Sequence, residues 1–183
     1  MATRVKRRTV IGLLAVALVA ACAGTPVAEP APEAPYARLF LVRHGEKEAG
    51  ADPALSLAGA QRAQALAARL GGEGVTQIWS TQTNRTRQTA APLAAALGLE
   101  VLIYDASALA AFASALGDTP GVKLVVGHSN TTDALAALIG ADPGPAIHEA
   151  SEFDRMYVID LSEDGVTADR IERYGASSRI NAE

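Results

Sequence analysis

Apolar runs recur along the chain at strand length, separated by stretches with helical spacing. Ala37–Val42, Val75–Ser80, Val101–Tyr104 and Val122–Val126 are short, largely β-branched or aliphatic segments bounded by polar or glycine-containing turns. Such near-continuous apolar runs are expected of strands covered on both faces. Between them the periodicity changes. From Ser56 or Asp52 as cap, Leu57, Ala60, Ala63, Leu66, Ala67 and Leu70 fall on one predicted helical face, and Gly71, Gly72 and Gly74 stop the helix. Further helices are predicted over 83–97, closed by Gly98, over 107–116 and over about 130–139. Residues 46–54 read as a charged loop, and 156–161 with 166–174 read as a late antiparallel pair. Strands alternating with helices predict a three-layer α/β/α sandwich around a mostly parallel sheet.

The first part of the chain has a different pattern. Residues 1–8 hold Arg4, Lys6, Arg7 and Arg8, residues 10–21 are unbroken apolar, and Cys22 follows Val19-Ala20-Ala21. A basic flank with an apolar stretch too short to span a bilayer comfortably is a secretory signal over 1–21. The single cysteine lies where a bacterial lipoprotein is acylated, so Cys22 is the expected lipidation site. The alternative is an ordinary signal cut at Ala-x-Ala with Cys22 incidental. Residues 22–35, with four prolines among small and acidic residues, form a tether, leaving 36–183 as the folded domain. The expected place is the extracytoplasmic side of the envelope, periplasmic and membrane-anchored through lipid. Without residues 1–21 the chain carries 12 basic and 20 acidic side chains, a net −8, which excludes nucleic acid as a partner.

Candidate chemistry sits where strands end. Arg43-His44-Gly45 follows the first run, Gly127-His128-Ser129-Asn130 follows the fourth, and Ser80–Ala90 contains Arg85-Thr86-Arg87-Gln88-Thr89-Ala90. Strand ends are where ligands meet an α/β sheet. The R-H-G triplet, the R-x-x-Q-T-A run and the late G-H-S, in this order, resemble the histidine phosphatase (phosphoglycerate-mutase-like) superfamily over residues 37–160. The resemblance makes His44 the nucleophile, since a neutral imidazole nitrogen can attack phosphorus and form a phosphohistidine. It makes Arg43 and Arg85 the phosphate clamps, because a planar guanidinium meets two phosphoryl oxygens at once. His128, with Ser129 beside it, is the second contact to the phosphoryl group. Gly45, lacking a Cβ, is expected to let backbone approach the phosphate. Arg87 is expected on the surface in a salt bridge, Lys47 is a surface lysine or adds a charge at the mouth of the site, and His148 is structural or exposed.

The proton donor stays open. Asp105 is either the acid that protonates the leaving group or the cap of the next helix, with Glu46 and Glu152 as rivals. Other readings fit less well. Gly127–Thr131 misses the last glycine of a G-x-S-x-G elbow, and no His-x-His or His-Glu-x-x-His metal spacing occurs. No cofactor is implied. The expected activity is a metal-independent phosphatase acting on a phosphorylated small molecule or envelope component, a phosphomonoester or phosphohistidine. The alternatives are a non-catalytic lipoprotein that binds phosphorylated molecules, or a phosphoglycerate-mutase-type phosphotransferase.

Overall fold

A computed structural model describes residues 35–178. The predicted leader, Cys22 and nearly all of the predicted tether lie outside the described residues. The elements are β1 (Ala37–Arg43), α1 (Leu57–Leu70), β2 (Val75–Ser80), α2 (Asn84–Leu97), β3 (Val101–Ile103), a 3-10 turn (Ala106–Ala108), α3 (Leu109–Gly117), β4 (Gly121–Gly127), α4 (Ser129–Ile139), β5 (Arg155–Ser162) and β6 (Gly165–Arg173). They form one six-stranded sheet in the order β3-β2-β4-β1-β5-β6. The β3, β2, β4 and β1 neighbours run parallel, and β5 and β6 join antiparallel, as the sequence predicts.

Both faces of the sheet are covered, which explains the continuous apolar runs. Phe40, Val42, Ile78, Leu124 and Val126 pack with Leu66, Leu70, Ala90 and Leu93 of α1 and α2. Leu39, Leu41, Val125 and Ile159 point the other way, onto Leu116 of α3 and Leu135 and Ala136 of α4. The period-two alternation of each strand thus feeds two cores. Lys123 interrupts the apolar run of β4 yet is fully buried, and burial lowers its pKa. Its Nζ donates to the carbonyls of Leu116 and Thr119, so the ammonium satisfies the end of α3.

Ser56, rather than Asp52, caps α1, its Oγ accepting the Gly59 N–H at 3.2 Å. Asp52 serves a different helix. Its carboxylate accepts the Asn84 N–H at 2.9 Å, at the start of α2. The inward face of α1 also differs from the periodic reading. Leu57 and Ala60 are exposed, and the buried set is Gly59, Arg62, Ala63, Leu66 and Leu70. The reason is local: the first turn of α1 lies against the loop after β1, where only a glycine fits. No helix among the described residues is long and apolar enough to cross a membrane.

Candidate active site

Adjacency of β1 and β4 brings the two strand-end motifs together. The strands are in register with Arg43 opposite Gly127, and the His44 N–H donates to the Gly127 carbonyl at 2.9 Å. The His44 and His128 rings lie 5.5 Å apart between centroids, at 69°. Arg85, in the first turn of α2, reaches the same place, with Nη2 3.4 Å from His128 Nδ1. These groups line a cavity of about 290 Å³ with Lys47, Ser129, Asn130 and Glu149. A second cavity, of about 520 Å³, shares Arg43, Lys47 and Glu149 as wall and adds Glu46, Ala150 and Phe153.

Hydrogen bonding fixes the protons on both rings. His44 Nδ1 lies 2.7 Å from the Gly45 carbonyl, which can only accept, so Nδ1 carries the proton and Nε2 keeps a free lone pair. Burial, then the nearby Arg43, His128 and Arg85, pushes its pKa down to about 3 despite the Gly45 bond. A ring neutral at ordinary pH, with its basic nitrogen unengaged, has the form a nucleophile needs. His128 is neutral too, its pKa lowered to about 4 by burial and by Arg85 and Arg43.

Arg43 is buried, with its guanidinium 4.1 Å over the Phe153 ring and Nη1 donating to the carbonyls of Glu152 (3.0 Å) and His148 (3.3 Å). Burial lowers its pKa to about 10, so it stays cationic. Arg43 Nε and Arg85 Nε are both buried without a partner. Buried N–H groups without partners are costly, and both arginines that carry them line the cavity. The N-terminus of the eleven-residue α4 adds Ser129 and Asn130 to the wall, and helix N-termini favour anions.

The structure reassigns Gly45. A Cβ there would lie 2.9 Å from the Gly59 carbonyl oxygen and 3.0 Å from Gly59 Cα. Its N–H is taken by Thr89 Oγ1 at 3.0 Å. Gly45 therefore makes room for α1. Asp105 is corrected as well. It is exposed, it is absent from the cavity wall, and its carboxylate accepts the Ser107 hydroxyl (2.7 Å) and N–H (2.8 Å), bonds that hold its pKa below the usual value. It caps the 3-10 turn.

Both rival carboxylates are engaged elsewhere. Burial alone would raise Glu46, but Arg62 grips both of its oxygens and holds it low. Burial would likewise raise Glu152, and the His148 N–H, Arg155 and Arg173 override that effect. The carboxylate that does line the cavity is Glu149, on the loop before β5, which the sequence reading passed over. Lys47 is exposed and also stands in the wall, where it can add a charge at the mouth of the site. Arg87 and His148 are exposed, as expected. Among the described residues no group of three or more His, Cys, Asp or Glu side chains is arranged to hold a metal ion.

Comparison with known proteins agrees with this picture. Residues 39–108 match the histidine phosphatase superfamily (branch 1). A probable phosphoglycerate mutase GpmB of Yersinia enterocolitica is 36% identical over 73 residues, 36% of this chain and 34% of that protein. The chain thus matches about a third of the length of that curated relative. In three dimensions the fold is similar to the protein histidine phosphatase SixA complexed with tungstate (TM-score 0.57, 20% identity, 75% of this chain and 95% of that one). It is also similar to a mycobacterial glucosyl-3-phosphoglycerate phosphatase (TM-score 0.53, 18% identity, 76% and 99%). The family match spans the Arg43-His44-Gly45 and Arg85 motifs, so residues 39–108 of this chain are similar to the histidine phosphatase superfamily, and the fold is shared with phosphatases of known structure.

Proposed function

We propose that the protein is a phosphatase that hydrolyses a phosphomonoester or phosphohistidine through a phosphohistidine on His44. The observation that carries this reading is the free Nε2 of a neutral, buried His44 beside two guanidinium groups with unpartnered Nε–H bonds. A phosphoryl group held in the cavity would receive hydrogen bonds from the Arg43 and Arg85 guanidinium groups, and His44 Nε2 would attack phosphorus in line. The N–P bond forms as the bond to the leaving atom breaks. In this reading Glu149 supplies the proton that the leaving atom takes, because it is the carboxylate in the cavity wall. Water then attacks the phosphohistidine, giving a proton back to Glu149 as the P–O bond forms and the N–P bond breaks, and phosphate departs from the restored His44. The binding of tungstate, a tetrahedral oxyanion, by a protein of similar fold supports the same use of the cavity.

Hydrolysis is favoured over transfer to a second acceptor because, among the described residues, no inserted domain covers the cavity, so water has access. The larger adjoining cavity would take the leaving group. Anchoring through a lipid on Cys22 at the envelope belongs to the same proposal and is supported by the sequence pattern alone.

The test is turnover of para-nitrophenyl phosphate with acid-quench trapping of labelled phosphoenzyme. His44→Ala is expected to abolish both, and EDTA is expected to leave wild-type turnover unchanged. Retention of either signal by His44→Ala refutes the nucleophile. A wild-type protein that binds phosphate or tungstate but turns nothing over would be a binding protein instead.

A further inference from the structure

Arg85 can only donate, so the 3.4 Å contact with His128 makes Nδ1 an acceptor and places the ring proton on Nε2. Nε2–H donates to Thr81 Oγ1 at 3.0 Å. The Thr81 hydroxyl is 2.9 Å from Thr86 Oγ1, and the Thr86 hydroxyl donates to the carbonyls of Thr81 and Thr83, each at 3.0 Å. Both threonines are buried. The chain of donors runs one way and ends on backbone carbonyls, so it cannot pass a proton on and acts as an orienting clamp. Its effect is that the face of His128 turned to the cavity carries a lone pair, not a proton. A phosphoryl oxygen arriving there meets a lone pair, and the contact becomes favourable once Nδ1 is protonated.

We infer that Thr81 and Thr86 are positioning residues that hold His128 with Nδ1 toward the phosphoryl site, so that binding of an oxyanion dianion is coupled to uptake of one proton at Nδ1. The inference rests on the phosphatase reading above. The proton comes from solvent or from a monoanionic substrate, and it leaves again with product. The other charged or titratable groups sharing the cavity are Arg43 and His44 at the end of β1, Lys47 in the following loop, Arg85 on α2 and Glu149 before β5. Arg43 and Arg85 oppose the positive charge that the bound dianion induces, and the clamp determines which nitrogen receives it.

Tungstate is a suitable probe because it stays a dianion across the neutral range and brings no proton of its own. Calorimetric titration of the wild-type protein, in buffers of different ionisation enthalpy, is expected to show uptake of about one proton per tungstate. The affinity is expected to fall about tenfold per pH unit between pH 7 and 9, the slope that one linked proton requires. Thr81→Val removes the acceptor of Nε2–H and frees the ring to carry its proton on Nδ1. Uptake is then expected to drop below about half a proton and the slope to flatten, while Thr81→Ser restores both. Thr86→Val, which removes the acceptor of the Thr81 hydroxyl, is expected to shift the slope in the same direction and carries the test if Thr81→Val is unstable. A wild-type slope of zero with tungstate bound, or a slope unchanged in both valine variants, overturns the clamp and leaves the phosphatase reading standing. Absence of tungstate binding to the wild-type protein overturns both.

Discussion

Gly59→Ala is the most informative single substitution because its consequence can be worked from one contact. Gly59 is the third residue of α1, and a Cβ built there falls 2.0 Å from the Glu46 carbonyl oxygen and 2.9 Å from Glu46 N and C. A carbon needs about 3.3 Å from such an oxygen, so helix and loop must separate by roughly 1 Å. That carbonyl is pinned, since it already accepts the Ser56 N–H at 2.9 Å. Overpacking of this kind costs up to about 3 kcal/mol, and losing the Ser56 bond about 1 more. The better helix propensity of alanine returns about 1 kcal/mol. The net expectation is a loss of about 3 kcal/mol, a fall in Tm of roughly 6–12 °C for a domain of this size. Activity should fall further than stability, on the order of a hundredfold. Glu46 follows the Gly45 carbonyl that fixes the His44 tautomer, and a 1 Å shift there misaims the His44 ring. Chemical denaturation and turnover are compared with Gly72→Ala, whose Cβ would meet nothing within 4 Å and which should stay within about 0.5 kcal/mol. Full activity in Gly59→Ala, with stability equal to that of Gly72→Ala, would refute the packing argument.

Other outcomes are also expected. Glu149→Gln should cost on the order of a hundredfold on alkyl phosphates and far less on para-nitrophenyl phosphate, whose leaving group departs without a proton. An equal loss on both substrates would remove Glu149 as the acid. The His44 and His128 pKa values of about 3 and 4, against 6.5 for a free ring, mean that below about 6.5 the unfolded chain binds protons the native protein refuses. Stability contributed by the neutral rings is therefore intact above about 6.5 and lost as pH falls toward 3, and Tm measured against pH should decline less in a His44→Gln, His128→Asn double variant. A parallel decline in both proteins would contradict the lowered values. Cys22→Ser should release the protein from membranes, and mass spectrometry showing an unmodified mature N-terminus other than Cys22 would exclude the anchor.

The fold was legible because its strands are covered on both faces, which gives apolar runs with sharp ends, and because glycines such as Gly98 close the helices where φ turns positive. The site was legible where chemistry coincides with a strand end: Arg43, His44 and His128 needed only the adjacency of β1 and β4 to meet. What was hidden depends on partners distant in sequence. Nothing near Glu46 announces that Arg62 occupies its carboxylate, and nothing near Glu152 announces that Arg173 reaches it from β6. Glu149 stands on an irregular loop, where no periodicity marks which side chain turns inward. Asp105 carried its own answer two residues on, in the Ser107 that it caps. For the glycine of the R-H-G triplet, the neighbour that a Cβ would meet, Gly59, belongs to another element and leaves no mark in the local sequence.

The strand order has a consequence for how the chain reaches this state. β1 is the first strand in sequence, but its sheet neighbours are β4 and β5, so Phe40 waits for Leu124 on one side and Val158 on the other. Closing such long loops before any pairing rewards them places the domain among slow, high-contact-order folders. Until β4 and β5 arrive, a seven-residue strand with six buried positions has both edges open, and open apolar edges template aggregation. The segment that carries His44 is thus also the one most in need of protection during synthesis, and truncations ending before Arg155 should yield insoluble chains rather than a smaller folded domain.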